Sequence, residues 1–285
     1  MQRLIFTILT NNGLKYIKRI YNIIDGEFMN KILKKLSIIS ILSLSFFIVT
    51  SCSNKKDDNL VVNKTGEELL KSNDLLYQEA VRDSVFADED EIYPLVNITK
   101  DDSNVIWVGN NVLVSFLHKY PNSYPDGETI QLGWSNVWVV STKELIRWVQ
   151  NNNQGVTDWN LRLHQLMGMP EGKATSITST WIDADLLYRP AYETNKTLPM
   201  KNTLQQTGDA TFDNNFKEWF DGNIIWSYFD SAYPWTRLGY TYDWADNGKE
   251  YGLTEFLIFK GAYTTIEFTT TFDDFVNYAL NYNFN

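Results

Sequence analysis

A single cysteine behind an N-terminal apolar segment most constrains what this chain can fold into. Cys52 is the only cysteine among the 285 residues, so no internal disulfide can form. Residues 29–35 are basic, residues 36–49 are apolar, and small residues lead up to Cys52, which is the layout of a secretory signal. The apolar run is shorter than the roughly 20 residues of a spanning helix. We therefore predict an exported domain that is stabilised by its core alone.

Residues 49–52, Val-Thr-Ser-Cys, resemble a bacterial lipobox. The resemblance implies cleavage before Cys52 and a lipid on its sulfur, with several acyl chains such as palmitate anchoring the protein to the membrane. The alternative is an ordinary signal peptide followed by an incidental cysteine. Asp25 and Glu27 lie just before Met29, where a signal favours positive charge. We therefore expect translation to start at Met29 and residues 1–28 to be a mis-annotated upstream segment.

The sequence predicts three further parts: a signal peptide over residues 29–51, a flexible tether over 52–64 and a single domain over 65–285. The tether is polar and suits a spacer between the membrane and the domain. Ser53 and the Lys-Asp-Asp run at 56–58 resemble lipoprotein sorting signals. We expect the domain to lie outside the cytoplasm in the cell envelope, on the outer membrane if the cell has two membranes.

Charge excludes one class of partner. Residues 1–51 carry seven of the 25 Lys and Arg residues and two of the 35 Asp and Glu residues, so the rest of the chain has a formal charge of −15. Binding to nucleic acid needs a basic face that neutralises phosphates. We therefore expect no nucleic-acid partner, and the dispersed acidity is typical of a soluble, self-repelling surface.

Strand-like and helix-like runs alternate irregularly, which predicts an α+β domain with a largely antiparallel sheet. Capping boxes at residues 65–68 and 141–144 predict helices to about Val85 and Gln150. Residues 105–108 and 112–117 flank a turn and predict one hairpin. Residues 253–259 and 264–269 flank Lys-Gly-Ala-Tyr and predict a second. A last helix is expected to be capped by Thr271.

The densest chemistry lies in residues 233–244, where five of the twelve residues are aromatic. One interpretation is structural, with the rings packed over the sheet and the charged residues in internal pairs. The other is a binding site, with the rings as a stacking floor for a ligand. In that interpretation Arg189, Arg237, Asp243 and Glu255 converge as polar contacts. The candidate binding residues are Arg189, Trp235, Arg237, Tyr240, Tyr242, Asp243, Trp244 and Glu255.

Familiar catalytic and metal-binding motifs are absent from the sequence. His118 and His164 lack partner motifs, so we expect structural roles for both. The carboxylates at 88–91 lack the spacing of a calcium loop and predict a solvated turn. Residues 243–248 depart from the calcium-loop pattern at its third and twelfth positions and predict a tight turn. We expect neither a metal nor a cofactor.

Four segments resemble the signature blocks of an uncharacterised bacterial protein family. They are residues 162–170, 187–190, 233–244 (Tyr-Pro-Trp-Thr-Arg-Leu-Gly-Tyr-Thr-Tyr-Asp-Trp) and 252–256. The resemblance covers roughly residues 105–280 and implies a single domain. The family carries no activity that could be transferred to this chain.

Two functional hypotheses follow from these features. The first is a lipid-anchored binding or interaction module whose ligand is a protein, a peptide or a glycan. The second is an envelope hydrolase that acts on glycan or peptide with Asp243 and Glu255 as its carboxylate pair. Glycosidases of this kind hold the two carboxyl groups roughly 5–10 Å apart. The sequence leaves open whether the protein is an enzyme.

Overall fold

The strands of the protein join into one antiparallel sheet in a computed structural model, which describes residues 72–230 and 232–284. The segments 1–28, 29–51 and 52–64, with Cys52, lie outside the described residues. The strands are β1 (Trp107–Val108), β2 (Asn111–His118), β3 (Thr129–Gln131), β4 (Val137–Ser141), β5 (Ser176–Asp183), β6 (Leu187–Tyr188), β7 (Tyr240–Tyr242), β8 (Tyr251–Ile258) and β9 (Tyr263–Thr271). They lie in the order β3-β9-β5-β2-β4-β8-β6, with β1 on β2 and β7 on β8.

Five helices accompany the sheet in the described part of the chain: α1 (Asn73–Asp83), α2 (Thr142–Asn151), α3 (Trp159–Leu166), α4 (Ala210–Ile225) and α5 (Phe272–Asn281). A π-helical turn, Trp226–Asp230, continues α4. Single turns of 3-10 helix lie at Glu89–Glu91, Pro121–Ser123 and Ala184–Leu186. The predicted α+β class with a largely antiparallel sheet is confirmed.

Helix capping follows the sequence in some places and departs from it in others. Ser72 caps α1, and its side chain accepts from the Leu75 N–H; the capping box predicted at 65–68 lies outside the described residues. Thr271 caps α5 as predicted, accepting from the Asp274 N–H. The capping box predicted at 141–144 does not form. Glu144 instead accepts hydrogen bonds from the backbone and hydroxyl of Thr254 on β8, which ties α2 to the sheet.

The hairpin predicted between residues 253–259 and 264–269 is wrong, although both strands exist. β8 pairs with β4, β6 and β7, whereas β9 pairs with β3 and β5. Four residues link these two strands, and five Cα–Cα steps reach about 17 Å. Four strand spacings in a flat sheet amount to about 19 Å. The sheet must therefore curl, so that the end of β8 approaches the start of β9.

The two faces of the sheet support separate apolar clusters. One face packs against α2, α3 and α5, and its cluster includes Leu117, Val140, Ile177 and Leu253 from the strands. The other face gathers Val112, Val114, Phe116 and Phe256 with Val96, Ile98 and Val105 from the segment before β1. No helix in the described residues is long and apolar enough to cross a membrane.

Candidate functional site

A cavity of about 440 Å³ lies where the aromatic segment 233–235 crosses the sheet. Its walls come from the end of β2, the link into β4, β4 itself, the turn after α3 and the π-helical turn. Rings and apolar side chains dominate the lining, with a few hydroxyl and amide groups among them. Ligand sites commonly take this form, a mostly apolar cavity with few polar groups.

Glu255 of β8 supplies the one carboxyl among the described residues that line the cavity. It lies opposite Val140 of β4, and directly opposed residues of an antiparallel pair share a face. Its backbone N–H donates to the Gly239 carbonyl. Within the described residues its carboxyl has no hydrogen bond and no ion pair. Burial alone raises the pKa of this carboxyl to about 8.

Two tryptophan rings form a corner beside Glu255. Trp138 of β4 and Trp235 both line the cavity, and their rings meet edge to face with centroids 5.9 Å apart. The Trp235 Nε1–H donates to the Pro190 carbonyl at 2.9 Å, which fixes the ring. Trp219 of α4 packs 6.0 Å from both rings and supports them from behind. The corner is therefore held in place before any ligand arrives.

The mouth of the cavity carries exposed rings. Trp226, at the start of the π-helical turn, lines the cavity and is 59% exposed, and Tyr120 is 60% exposed. Trp134 is 95% exposed and directly precedes the lining residues Ser135 and Asn136. Such π-helical turns recur at functional sites in proteins. This arrangement offers stacking surfaces to a ligand that enters.

His118 lies in the cavity wall but is not available as a base. Its Nδ1 accepts from the Tyr120 N–H at 3.0 Å, so its Nε2 carries the proton and donates to the Thr178 hydroxyl at 2.7 Å. Burial lowers its pKa to about 4. His164 has the opposite tautomer: its Nδ1–H donates to the Asn160 carbonyl and its Nε2 accepts from the Ala174 N–H. Both ring nitrogens of each histidine are therefore hydrogen-bonded within the fold.

Asp243 does not face the cavity. Its two carboxylate oxygens pair with the two terminal nitrogens of Arg162 on α3, one of them at 2.9 Å. The Ala245 N–H at 3.2 Å and the Asn247 side chain also bond to it. The residue therefore closes the predicted tight turn. The predicted carboxylate pair of Asp243 and Glu255 is not assembled, because one member is engaged elsewhere.

The two candidate arginines are internal. Arg189 is fully buried and donates to the carbonyls of Val96, Asn195, Lys196 and Leu198. Burial lowers its pKa to about 10, which leaves it charged at neutral pH.

Arg237 is 1% exposed, donates to the Ser84 and Val85 carbonyls and lies over the Tyr192 and Tyr228 rings. Its φ of 61° places it in the left-handed region, which is uncommon for a residue other than glycine. Neither Arg189 nor Arg237 lines the cavity. The predicted convergence of four polar residues is therefore wrong, since only Glu255 reaches the cavity.

The remaining aromatic candidates divide in the same way. Tyr242 lines the cavity, and its hydroxyl donates to Asp83 at 2.8 Å. Tyr240 is buried, with its hydroxyl on the Glu91 carbonyl. Trp244 is buried and donates to the Met169 carbonyl. The cavity therefore brings together three of the eight predicted residues, Trp235, Tyr242 and Glu255.

A second group of carboxylates lies outside the cavity. It consists of Asp83, Glu91 and Glu250, whose carboxylate oxygens lie within 4.8 Å of one another. Carboxylate oxygens at this spacing could hold a divalent cation. Burial and the neighbouring carboxylates raise the pKa of Glu250 to about 7. Asp88 caps the turn that carries Glu91, in agreement with the predicted turn at 88–91. The approach of Glu250 to Asp83 and Glu91 was not predicted, because Glu250 is distant from both in sequence.

Several lining residues carried no signal in the sequence. Trp138 lies in a strand whose alternation gives its face but not its neighbours. Asn223 lies in the last turn of α4 and Trp226 directly follows that helix, and no sequence motif marks either residue. No local pattern could link them to Glu255, because the cavity forms only when β4, β8 and the π-helical turn meet.

Comparisons of the chain with protein-family models, with curated proteins and with solved structures found no match. The resemblance of residues 233–244 to an uncharacterised bacterial family therefore stays a prediction. The function must be inferred from the geometry of this chain.

Proposed function

We propose that the protein is a lipid-anchored protein of the cell envelope that binds a small organic ligand in the Glu255 cavity. The signal-like segment and Cys52 place the anchor, and the tether at 52–64 leaves the domain free to meet a ligand. The membrane is its first partner, through the lipid on Cys52. The ligand is a small molecule or one residue of a peptide or glycan.

The carrying observation is the unpartnered carboxyl of Glu255 in a cavity lined mainly by rings and apolar side chains. Glu255 is half-buried, and partial desolvation of a carboxyl without a partner disfavours its ionised form. The residue directly opposite Glu255 on β4 is Val140, whose side chain cannot bond to a carboxyl. The nearby tryptophan corner is rigid and suits stacking. These features support recognition of a ligand that completes the bonding of Glu255.

The hydrolase hypothesis receives less support from the same contacts. Two-carboxylate hydrolysis needs a second acidic group across the scissile bond. Among the described lining residues Glu255 is the single carboxyl, and Asp243 is bonded to Arg162. The neutral tautomer of His118 is already committed to two bonds. Binding is therefore the function that we infer.

A matched pair of variants tests ligand binding. Asn223 lines the cavity from α4, whereas Asn215 lies exposed on the same helix. The probes are 3,3-dimethylbutan-1-ol and its charged counterpart, choline. Binding of each probe to the full chain in a mild detergent is measured by saturation-transfer NMR. We expect transfer to at least one probe in the wild type and in Asn215→Trp, and its loss in Asn223→Trp. No transfer to either probe, or equal transfer in all three proteins, would contradict ligand binding at this site.

The anchor has a separate test. Cys52→Ala removes the sulfur that would carry the lipid, so we expect the protein to leave the membrane fraction or to stay unprocessed. Asn54→Ala is the matched control and should remain in the membrane fraction at its mature size. A mature, membrane-bound Cys52→Ala protein would overturn the proposed lipid anchor.

A further inference from the structure

Resting on the proposed function, we propose that the ligand is an organic cation whose ammonium group binds the Glu255 carboxylate within the corner formed by Trp138 and Trp235. The inference concerns the chemical class of the ligand. Quaternary ammonium ions such as choline and small alkylammonium groups belong to this class.

The charges around Glu255 favour a positive ligand. Among the described lining residues no lysine or arginine is present, and the one histidine is held neutral by its hydrogen bonds. The tyrosines that line the cavity, Tyr120, Tyr124, Tyr233 and Tyr242, carry no positive charge in either protonation state. Arg237 lies over the Tyr228 ring outside the lining and donates to backbone carbonyls. A cationic ligand would therefore supply the counter-charge that the lining itself lacks.

The rings favour the same class of ligand. Aromatic faces attract cations through their quadrupole, and tryptophan is the strongest of the rings in this respect. Trp138 and Trp235 meet edge to face at 83°, and both residues line the cavity that Glu255 also lines. A carboxylate beside such a corner recognises an ammonium group by charge and by its apolar methyl groups together. A volume of about 440 Å³ is ample for a small ammonium compound.

Occupancy by a cation also couples binding to a proton. Burial raises the pKa of the empty Glu255 carboxyl to about 8, so near neutral pH the carboxyl is mostly protonated. A cation prefers the ionised form, and its binding should release the proton to solvent. Affinity for a cation should therefore increase as the pH rises from 6 to 8.5, whereas affinity for a neutral ligand should not.

The test compares choline with 3,3-dimethylbutan-1-ol, which replaces the nitrogen by carbon at nearly the same shape. Dissociation constants are measured by calorimetry on the full chain at pH 6 and pH 8.5. At pH 8.5 we expect choline to bind at least about tenfold more tightly than the neutral compound. We expect Glu255→Gln to abolish this preference and the pH dependence, while affinity for the neutral compound persists.

Glu250→Gln is the matched control, because it changes a carboxyl of raised pKa that lies outside the cavity. It should leave choline affinity unchanged. Equal affinity for the two probes, or unchanged choline affinity in Glu255→Gln, would overturn the cation inference while leaving the proposed binding function intact. If the wild type bound neither choline nor 3,3-dimethylbutan-1-ol, the proposed binding function itself would be wrong. A thermal unfolding curve for each variant confirms that it is folded.

Discussion

Asp243 and Glu255 are two carboxylates of one aromatic region, yet the fold treats them in opposite ways. Asp243 is 3% exposed and is neutralised by both terminal nitrogens of Arg162, with donors from its own turn. Glu255 lies on the next strand with no bonding partner for its carboxyl in the described residues. Asp243 therefore has a structural role, since it holds its own turn against α3. Glu255 instead belongs to a cavity.

The difference teaches how to separate structural from functional charge. A buried charge that is fully paired holds elements together, and removal of one partner is costly because the other stays buried and unpaired. A desolvated carboxyl without a partner is disfavoured in its ionised form and leaves its oxygens available to a ligand. Aromatic content alone did not distinguish these cases, since rings surround both carboxylates.

The largest effect is expected at the paired carboxylate. Asp243→Ala leaves Arg162 without its partner, so we expect a loss of about 3–5 kcal/mol in the free energy of unfolding. Urea denaturation monitored by tryptophan fluorescence measures it. Asp246→Ala, an exposed residue of the same turn, is the control and should change stability by less than about 0.5 kcal/mol. A small loss at Asp243 would erase the contrast between the two carboxylates.

The unpaired carboxylate should reveal itself through pH. The pKa of Glu255 is raised in the folded protein from 4.5 to about 8, so the folded state binds the proton more tightly than the unfolded state. Its contribution therefore opposes unfolding below about pH 4.5 and is lost as the pH rises to about 8.

Urea titrations at pH 5 and pH 8.5 measure this dependence. Relative to Glu255→Gln, we expect the wild type to lose stability on the order of 3 kcal/mol between these values. Subtraction of the variant removes the parallel contributions of Glu144 and Glu250, whose pKa values burial also raises. A flat difference would show that Glu255 has a partner in the folded protein.

A smaller effect is expected where Gly252 of β8 packs against Thr241 of β7 and Leu166 of α3. A Cβ on Gly252 would lie 2.5 Å from the Thr241 carbonyl oxygen and 2.6 Å from that of Leu166. We expect Gly252→Ala to lower the thermal midpoint with a loss of about 1–3 kcal/mol. Gly222→Ala in α4, where a Cβ meets nothing within 4 Å, should instead stabilise by about 0.5–1 kcal/mol. A similar change in stability for both variants would mean that Thr241 and Leu166 are not rigidly packed against β8.

Much of the local structure could be predicted from the sequence. The turn at Gly109 joins β1 to β2 as expected, because a glycine with positive φ between β-branched runs favours a hairpin. The last two strands also lie close to where the alternation placed them. We predicted that these two strands pair with each other, because a short link joins them. They instead pair with other strands, and a short link alone does not specify which strands become neighbours in a sheet.

The candidate site was predicted in part. The sequence directed attention to Trp235, Tyr242 and Glu255, which line the cavity. It also selected Arg189 and Arg237, which donate to backbone carbonyls away from the cavity, and Asp243, which pairs with Arg162. Residue type alone cannot tell these groups apart, since the pairing of a charge depends on partners such as Arg162, distant along the chain.

The sequence by itself determined the predicted export signal with its lone cysteine, the acidic balance of the chain and the α+β class, because each depends on composition or local periodicity. Only the tertiary structure decided which carboxylate is paired and which is not. That decision depends on the arrival of α3 at Asp243 and on a valine opposite Glu255. Such contacts arise between segments that are far apart in sequence, so local chemistry cannot specify them.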